Sequence, residues 1–419
     1  MRNERRGPKQ PRGSTEESIT PPAALSVVFA TLGRGRRPRA VAPGTAVDGR
    51  IGRVIERIGR FIQDPGAGSF EELALAVFAY QYERIEPYRK LCDGRGATPG
   101  SIADWRQVPP VPAAAFKRLR LAAAPEKEVF RSSGTGGREE ARSVHHHPFP
   151  DLYRQTVDAA FPRHCLPGGG AAPVPMLSLV PSREQLPDSS LAFMIDHVLA
   201  RFAAPAPETV VACGRRGVEM VPARSWAGAR QRSGRPALVL ATSLALAQWL
   251  DALERQDLRF RLPAGSAVFE TGGYKGHAQE LSPARERLRL EERLGVPPGA
   301  VVREYGMTEL TSQCYTRALA GGDPDLFVAP HWVRVRILDP ATLEEARPGA
   351  PGLIAIFDLA NLGSAAHLLT EDLGAAEAGG GDAGENGAGG GFRLLGRAAG
   401  AELRGCSLVA EELQRAGGR

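Results

Sequence analysis

The chain has 419 residues, 42% of them hydrophobic and 24% charged, with a formal net charge of +6. That length allows more than one folded unit at ~100–200 residues per domain, and no apolar run approaches the ~20 residues that a membrane-spanning helix needs. Only five of the 53 basic residues are lysines. The basic balance therefore follows an arginine-rich composition and does not by itself point to a nucleic-acid partner.

Residues 1–48 are rich in Arg, Pro and Gly without apolar periodicity, a composition that predicts a disordered basic arm. No apolar h-region stands near the start, so no signal peptide is expected. Folding is expected from residue 49 onward. Ile51, Val54, Ile55, Ile58, Phe61 and Ile62 fall on one face of a helix. A second helix is predicted from Ser69, which has capping-box spacing to Glu72, and it should end before Pro87. "VPPVPAAAFK" (residues 108–117) reads as a Pro-rich connector.

Farther on, "PVPMLSLVP", "RPALVLATS", "GSAVFETGG", "AVVREYG" and "GLIAIFDLA" read as strands, while "SLALAQWLDALERQ" and "SPARERLRLEERLG" read as helices. Strands alternating with helices predict an α/β architecture. The glycine-rich residues 374–391 predict a flexible loop. Cys92, Cys165, Cys213, Cys314 and Cys406 are scattered, odd in number and without a C-x-x-C pair. This argues against a disulfide framework or a zinc site and for a reducing, cytoplasmic setting.

Three motifs carry the chemistry. "FRSSGTGGREEARS" (residues 130–143) offers Ser132, Ser133, Gly134, Thr135, Gly136 and Gly137. Hydroxyls and closely approaching backbone N–H groups of this kind can cradle phosphate oxygens. "VVREYGMTEL" (residues 301–310) is a strand-like run that ends in Tyr305-Gly306, then Thr308-Glu309. A Thr hydroxyl there can bind phosphate, and the Glu309 carboxylate can hold Mg²⁺, a hard cation that bridges to substrate phosphates. "LLTEDLG" (residues 368–374) reads as a turn on which Asp372 can accept both ribose hydroxyls, and Arg397 of "FRLLGRAAG" can add a charged hydrogen bond. Taken alone, each motif also reads as an ordinary turn or helix cap.

Their order resembles the core series of the acyl-adenylating superfamily of acyl-CoA synthetases, adenylation domains and luciferases. "ETGGYKGH" (residues 270–277) stands where that superfamily has its adenine-binding Gly-Gly step. The resemblance implies nucleotide contacts from Gly272, Gly273 and Tyr274. Within the superfamily the chain is similar to the acyl-protein synthetases, the long-chain-fatty-acid–protein ligases of the luminescence fatty-acid reductase system. The "SSGT" loop followed by "HHHPFPDLY", the "GGYKGH" element and a near-terminal Gly-Cys carry that likeness. It implies a large adenylation domain of packed sheets and helices over residues 49–396, with a short hinge and acyl-carrying arm over residues 397–419 in place of the usual small domain. It also implies a fatty or other carboxylic acid and ATP as substrates, Mg²⁺ as cofactor, and an acyl-accepting reductase or carrier as partner.

The chain departs from the pattern in places. The glycine loop reads Gly-Thr-Gly-Gly and is followed by "REEAR", so Arg138 or Arg142 stands in for the usual lysine. The last lysine of the chain is Lys275, within the nucleotide element, and it is the candidate for the catalytic lysine. In "GRAAGAELRGCSLVAEELQ" the thiol of Cys406 has Arg404 nearby, and Ser407 is a fitting N-cap for the run that follows. Positive charge and a helix N-terminus both favour thiolate. Cys406 is thus the candidate nucleophile toward the acyl adenylate, and the bland alternative is a small apolar packing residue. Adjacent His145, His146 and His147 cannot all face one metal, so a single His lining the acyl or nucleotide pocket is the preferred reading. Two other functions fit the same motifs: an acyl- or aryl-CoA ligase of the phenylacetate-CoA type, and a catalytically weak binding protein.

Overall fold

The computed structural model describes residues 49–133, 142–272, 282–377 and 391–398. Its helices are α1 (Gly49–Gln63), α2 (Phe70–Arg84), α3 (Glu86–Gly94), α4 (Pro150–Cys165), α5 (Ser190–Phe202), α6 (Met220–Ser233), α7 (Ser243–Arg255) and α8 (Pro283–Leu294). The strands of its first half are β1 (Val111–Pro112), β2 (Glu128–Arg131), β3 (Val144–His147), β4 (Met176–Leu179), β5 (Val210–Val211), β6 (Cys213–Gly214), β7 (Gly217–Val218) and β8 (Leu238–Thr242). The second half adds β9 (Ala267–Thr271), β10 (Val301–Tyr305), β11 (Cys314–Thr316), β12 (Phe327–Val328), β13 (Val333–Leu338), β14 (Gly352–Asp358), β15 (His367–Ala376) and β16 (Phe392–Arg397).

One mixed sheet carries the site. Its order is β13-β14-β15-β16-β12-β11-β10-β9-β8-β4-β5, with β1 joined to β15. Strands β5, β4, β8, β9 and β10 run parallel, and antiparallel pairing begins at β11. Apart from Ser178 the parallel strands are apolar until near their C-terminal ends, because both faces are covered. Along β8, Leu238 and Leu240 join the core under α4 and α5, whereas Val239 and Ala241 join a second core under α6, α7 and α8. Val268 against Phe269, and Val301 against Val302, divide in the same way. This period-two division sends Glu304 and Tyr305 to opposite sides of β10.

The expected helices form, and their ends follow local chemistry. Ser69 caps α2 by accepting from the Glu72 backbone N–H at 3.4 Å. The Glu72 carboxylate pairs with Arg57 at 3.2 Å. Two sequence expectations give way. Residues 368–374, read as a turn, lie inside β15, and Gly374, Ala375 and Ala376 pair with Leu394, Arg393 and Phe392. The glycine-rich loop therefore does not begin at Gly374. His367, Leu368, Leu369 and Thr370 are fully buried between neighbouring strands, and this burial extends the strand through a sequence whose charged residues suggest a turn. The Pro-rich connector also contributes β1 to the sheet, parallel to β15.

Candidate functional site

The three motifs meet at the C-terminal end of β10. Tyr305, the last residue of the strand, donates its hydroxyl to Asp372 Oδ2 at 2.9 Å. Asp372 is the register partner of Arg397, the last residue of β16. Arg397 Nε stands 3.4 Å from Asp372 Oδ1, and its Nη2 stands 3.0 Å from Glu371. An acidic side chain with two acceptor oxygens is thereby held on β15 by an aromatic hydroxyl on one side and a guanidinium on the other. Burial, then the Asp372 charge, pushes the Tyr305 phenol well above its ordinary value, so it remains a donor.

The first motif joins the second through a histidine. Strands β2 and β3 form a hairpin in which Phe130 pairs with His145 and Arg131 with Val144. Ser132 closes the described part of that hairpin, exchanging hydrogen bonds with Ser143 at 2.9 Å and 3.0 Å. His145 points inward and its Nδ1 meets the Thr308 carbonyl at 2.8 Å. Two residues on, His147 Nε2 lies 3.0 Å from the Thr311 hydroxyl. Both imidazoles are pushed down by burial, His145 to about 4. They are neutral posts behind the loop from Thr308 to Thr311. No cluster of three or more metal-ligating side chains occurs among the described residues.

Asp358, at the end of β14, is fully buried and accepts four hydrogen bonds: from the Thr311 and Ser312 backbone N–H groups at 2.9 Å and 2.8 Å, the Ser312 hydroxyl at 2.7 Å, and the Ala360 N–H at 3.0 Å. Burial raises its carboxyl, and these donors pull it back. Asn361 donates to the Glu309 carbonyl at 2.9 Å and to the Ala365 carbonyl at 2.8 Å. The loop carrying Thr308 and Glu309 is thus fixed through its backbone carbonyls. Glu309 is 5% exposed.

Gly272 follows β9 with φ of +79°, a conformation that favours glycine. The Ser243 hydroxyl lies 2.9 Å from its carbonyl. Arg142, one of the two arginines expected in place of a lysine, pairs with Asp188 at 3.2 Å. Ser133 is exposed, two residues past the end of β2. Gly134, Thr135, Gly136, Gly137, Arg138, Gly273, Tyr274, Lys275 and Cys406 lie outside the described residues.

The sequence reading missed Asp358 and Asn361. Their signal is the short "FDLANLG", in which Asp358 caps a single 3-10 turn by accepting from Ala360. Nothing local says that the same carboxylate also holds a loop some fifty residues upstream.

Asp372→Ala is expected to raise the KM for ATP at least ~10-fold, on the scale of one charged hydrogen-bond acceptor, with a smaller change in kcat. Initial rates at varied ATP measure this. An unaltered KM would remove Asp372 from the nucleotide site.

Residues 230–414 match the family model described as "Acyl-protein synthetase, LuxE". No curated protein matches the chain. Among solved structures, 2-hydroxyisobutyryl-CoA ligase in an open conformation, in complex with 2-HIB-AMP and CoA, is similar with a TM-score of 0.55 at 15% identity, over 78% of this chain and 69% of the ligase. The same ligase in its thioesterification state gives 0.52 at 14% identity, over 84% and 69%. The chain thus has the fold of the acyl-adenylating ligases, and across residues 230–414 it carries the pattern of the acyl-protein synthetase family.

Proposed function

We propose that the chain is an AMP-forming ligase that activates a carboxylic acid with ATP and then transfers the acyl group to its own Cys406 for delivery to a partner protein. The observation that carries the first step is the gathering of Tyr305, Asp372 and Arg397 at the strand end where Thr308 and Glu309 are held. Ligands of open α/β sheets lie at such strand ends. Asp372 accepts the ribose hydroxyls. Thr308 and the loop from Ser132 to Gly137 hold phosphate oxygens. The donor set fits Mg²⁺: one buried carboxylate, Glu309, beside phosphates that supply the remaining oxygens. Bound there, Mg²⁺ neutralises phosphate charge. Lys275 is assigned to the developing negative charge of the reacting groups.

In the first step a carboxylate oxygen of the acid attacks the α-phosphorus. A new P–O bond forms, the bond from the α-phosphorus to the bridging oxygen breaks, and pyrophosphate leaves. In the second, the Cys406 thiolate attacks the acyl carbon, the C–O bond to the phosphate breaks, and AMP leaves. Residues 1–48 are assigned to a basic arm outside this chemistry, and residues 397–419 to the hinge and acyl-carrying segment. A fatty or other carboxylic acid as substrate and a reductase or carrier as recipient follow from the family resemblance. CoA as an alternative acceptor is the competing outcome.

The remaining cysteines are poor rivals to Cys406. Cys92, Cys165, Cys213 and Cys314 are all buried. Burial pushes the Cys92 thiol up to about 12 and the Cys213 thiol to about 11, and it raises Cys165 and Cys314 as well. A thiol kept protonated is a weak nucleophile.

Cys406→Ser is therefore expected to retain acid-dependent ATP–pyrophosphate exchange while losing self-acylation. Labelled acid plus ATP should label the wild-type chain, and neutral hydroxylamine should release the label as expected for a thioester. Label that persists in the variant, or that maps to a buried cysteine, would sink the acyl-carrying role. Rapid AMP release that requires CoA would replace it with the CoA-ligase function.

A further inference from the structure

Three polar side chains at the ends of neighbouring strands share one face of the sheet. Glu304 on β10 is the register partner of Thr271 on β9 and of Tyr315 on β11. Side chains opposite one another in paired strands stand side by side on the same face. This row faces α4, where Tyr315 stacks on His164 at 5.3 Å and meets Phe161 edge-on at 6.4 Å. Two residues earlier the same face is apolar, with Phe269 and Val302 fully buried. The change from apolar to polar occurs just where the strands end. Tyr305, the next residue along β10, reaches Asp372 from the other side, so the nucleotide groups and this row flank one strand end.

A carboxyl is a costly choice for such a place. Glu304 is 8% exposed, and the Thr271 hydroxyl donates to it. No basic side chain among the described residues forms an ion pair with it. The titratable groups that feel its charge are the uncharged Tyr153, Cys165, Cys314 and Tyr315. Burial lifts the carboxyl to about 7, and the Thr271 hydrogen bond opposes the rise. The following turn makes room for it: a Cβ on Gly306 would fall 2.0 Å from Glu304 Oε1. Two more polar atoms nearby have no hydrogen-bond partner, the Tyr315 hydroxyl and Gln313 Oε1, on residues 1% and 4% exposed. The Gln313 side chain interacts with Tyr153, one of the groups that feel Glu304. Buried polar atoms of a folded chain are normally satisfied. A row that combines a carboxyl, an unpartnered phenol and a glycine-walled approach has the composition of a binding surface for a polar group.

We propose that the Thr271–Glu304–Tyr315 row reads a hydrogen-bond-donating substituent, a hydroxyl or an amino group, on the acid that the chain activates. This rests on the adenylation function proposed above and names its substrate class: an acid bearing such a donor in place of an unsubstituted alkyl chain. Glu304 accepts from the donor, and the Tyr315 hydroxyl turns to complete the contact. An unsubstituted acid leaves these atoms buried and unpaired, the condition under which polar sites reject analogues most strongly.

The test is ATP–pyrophosphate exchange by the full chain with butanoate, hexanoate and octanoate, each beside its derivatives with hydroxyl or amino at the second, third or fourth carbon. At least one substituted acid should exceed its parent in kcat/KM by at least ~10-fold. Glu304→Gln should shrink that ratio through the KM of the substituted acid. Because Gln still offers an acceptor oxygen but no charge, the loss should be larger for an amino donor than for a hydroxyl, which identifies the donor. Tyr315→Phe, which removes only the unpartnered hydroxyl, should lower the same ratio and provides a second reading if Glu304→Gln folds poorly. A wild type that favours the parent acids, or variants that slow parent and substituted acids alike, would overturn the inference and leave adenylation standing. Exchange with tetradecanoate alone would likewise overturn the inference and leave adenylation standing, and absence of exchange with tetradecanoate and with every acid of both series would remove the adenylation function and this inference together.

Discussion

Glu309→Gln is expected to lower acid-dependent ATP–pyrophosphate exchange at least ~100-fold, about 2–3 kcal/mol of transition-state stabilisation, on the scale of one preorganised electrostatic group. The substitution keeps the size and one acceptor oxygen of the side chain and removes the charge that would hold Mg²⁺ against the phosphates. The backbone around it should not move, because the Glu309 carbonyl is held by Asn361 at 2.9 Å and the Thr308 carbonyl by His145 at 2.8 Å. The melting temperature therefore separates loss of charge from loss of fold. Exchange within threefold of wild type would show that Glu309 is a structural cap and that the metal, if used, is held elsewhere.

Asp358→Ala should cost about 3–5 kcal/mol of stability, the range for removing one partner of a buried charged network. Four donors lose their acceptor at once: the N–H groups of Thr311, Ser312 and Ala360 and the Ser312 hydroxyl. The Trp332 indole N–H, which donates to the Ser312 hydroxyl at 3.0 Å, would be disturbed as well. Asp358→Asn keeps one acceptor oxygen and should cost less. Denaturant unfolding measures both, and exchange activity should fall with stability because the same hydrogen bonds fix the Thr308-Glu309 loop. A loss below ~1 kcal/mol for the alanine variant would mean that this network does not support the loop.

The strand-end motif was legible for a simple reason. "AVVREYG" opens on an apolar stretch and closes on a strand-ending glycine, and β10 spans Val301–Tyr305 within it. "LLTEDLG" was misread because its acid pair resembles a turn. In β15, however, Glu371 and Asp372 lie beside Arg397, which lets the strand continue through them. The adjacent histidines show the same limit. Their alternation on β3 places His145 and His147 on the buried side, but a sequence does not name the Thr308 carbonyl and the Thr311 hydroxyl as their partners.

By itself the sequence determined the α/β class, the helix and strand periods and the order of the three motifs. These are local properties, set by side-chain spacing and by backbone preferences of Gly, Pro and capping residues. Only the tertiary structure decided that Tyr305 meets Asp372, that Asp358 and Asn361 hold a loop far upstream, and that Glu304 lies in a row with Thr271 and Tyr315. Those relations depend on strand order and register between segments distant along the chain. A shift of one residue in that register would turn each of these side chains to the opposite face of the sheet.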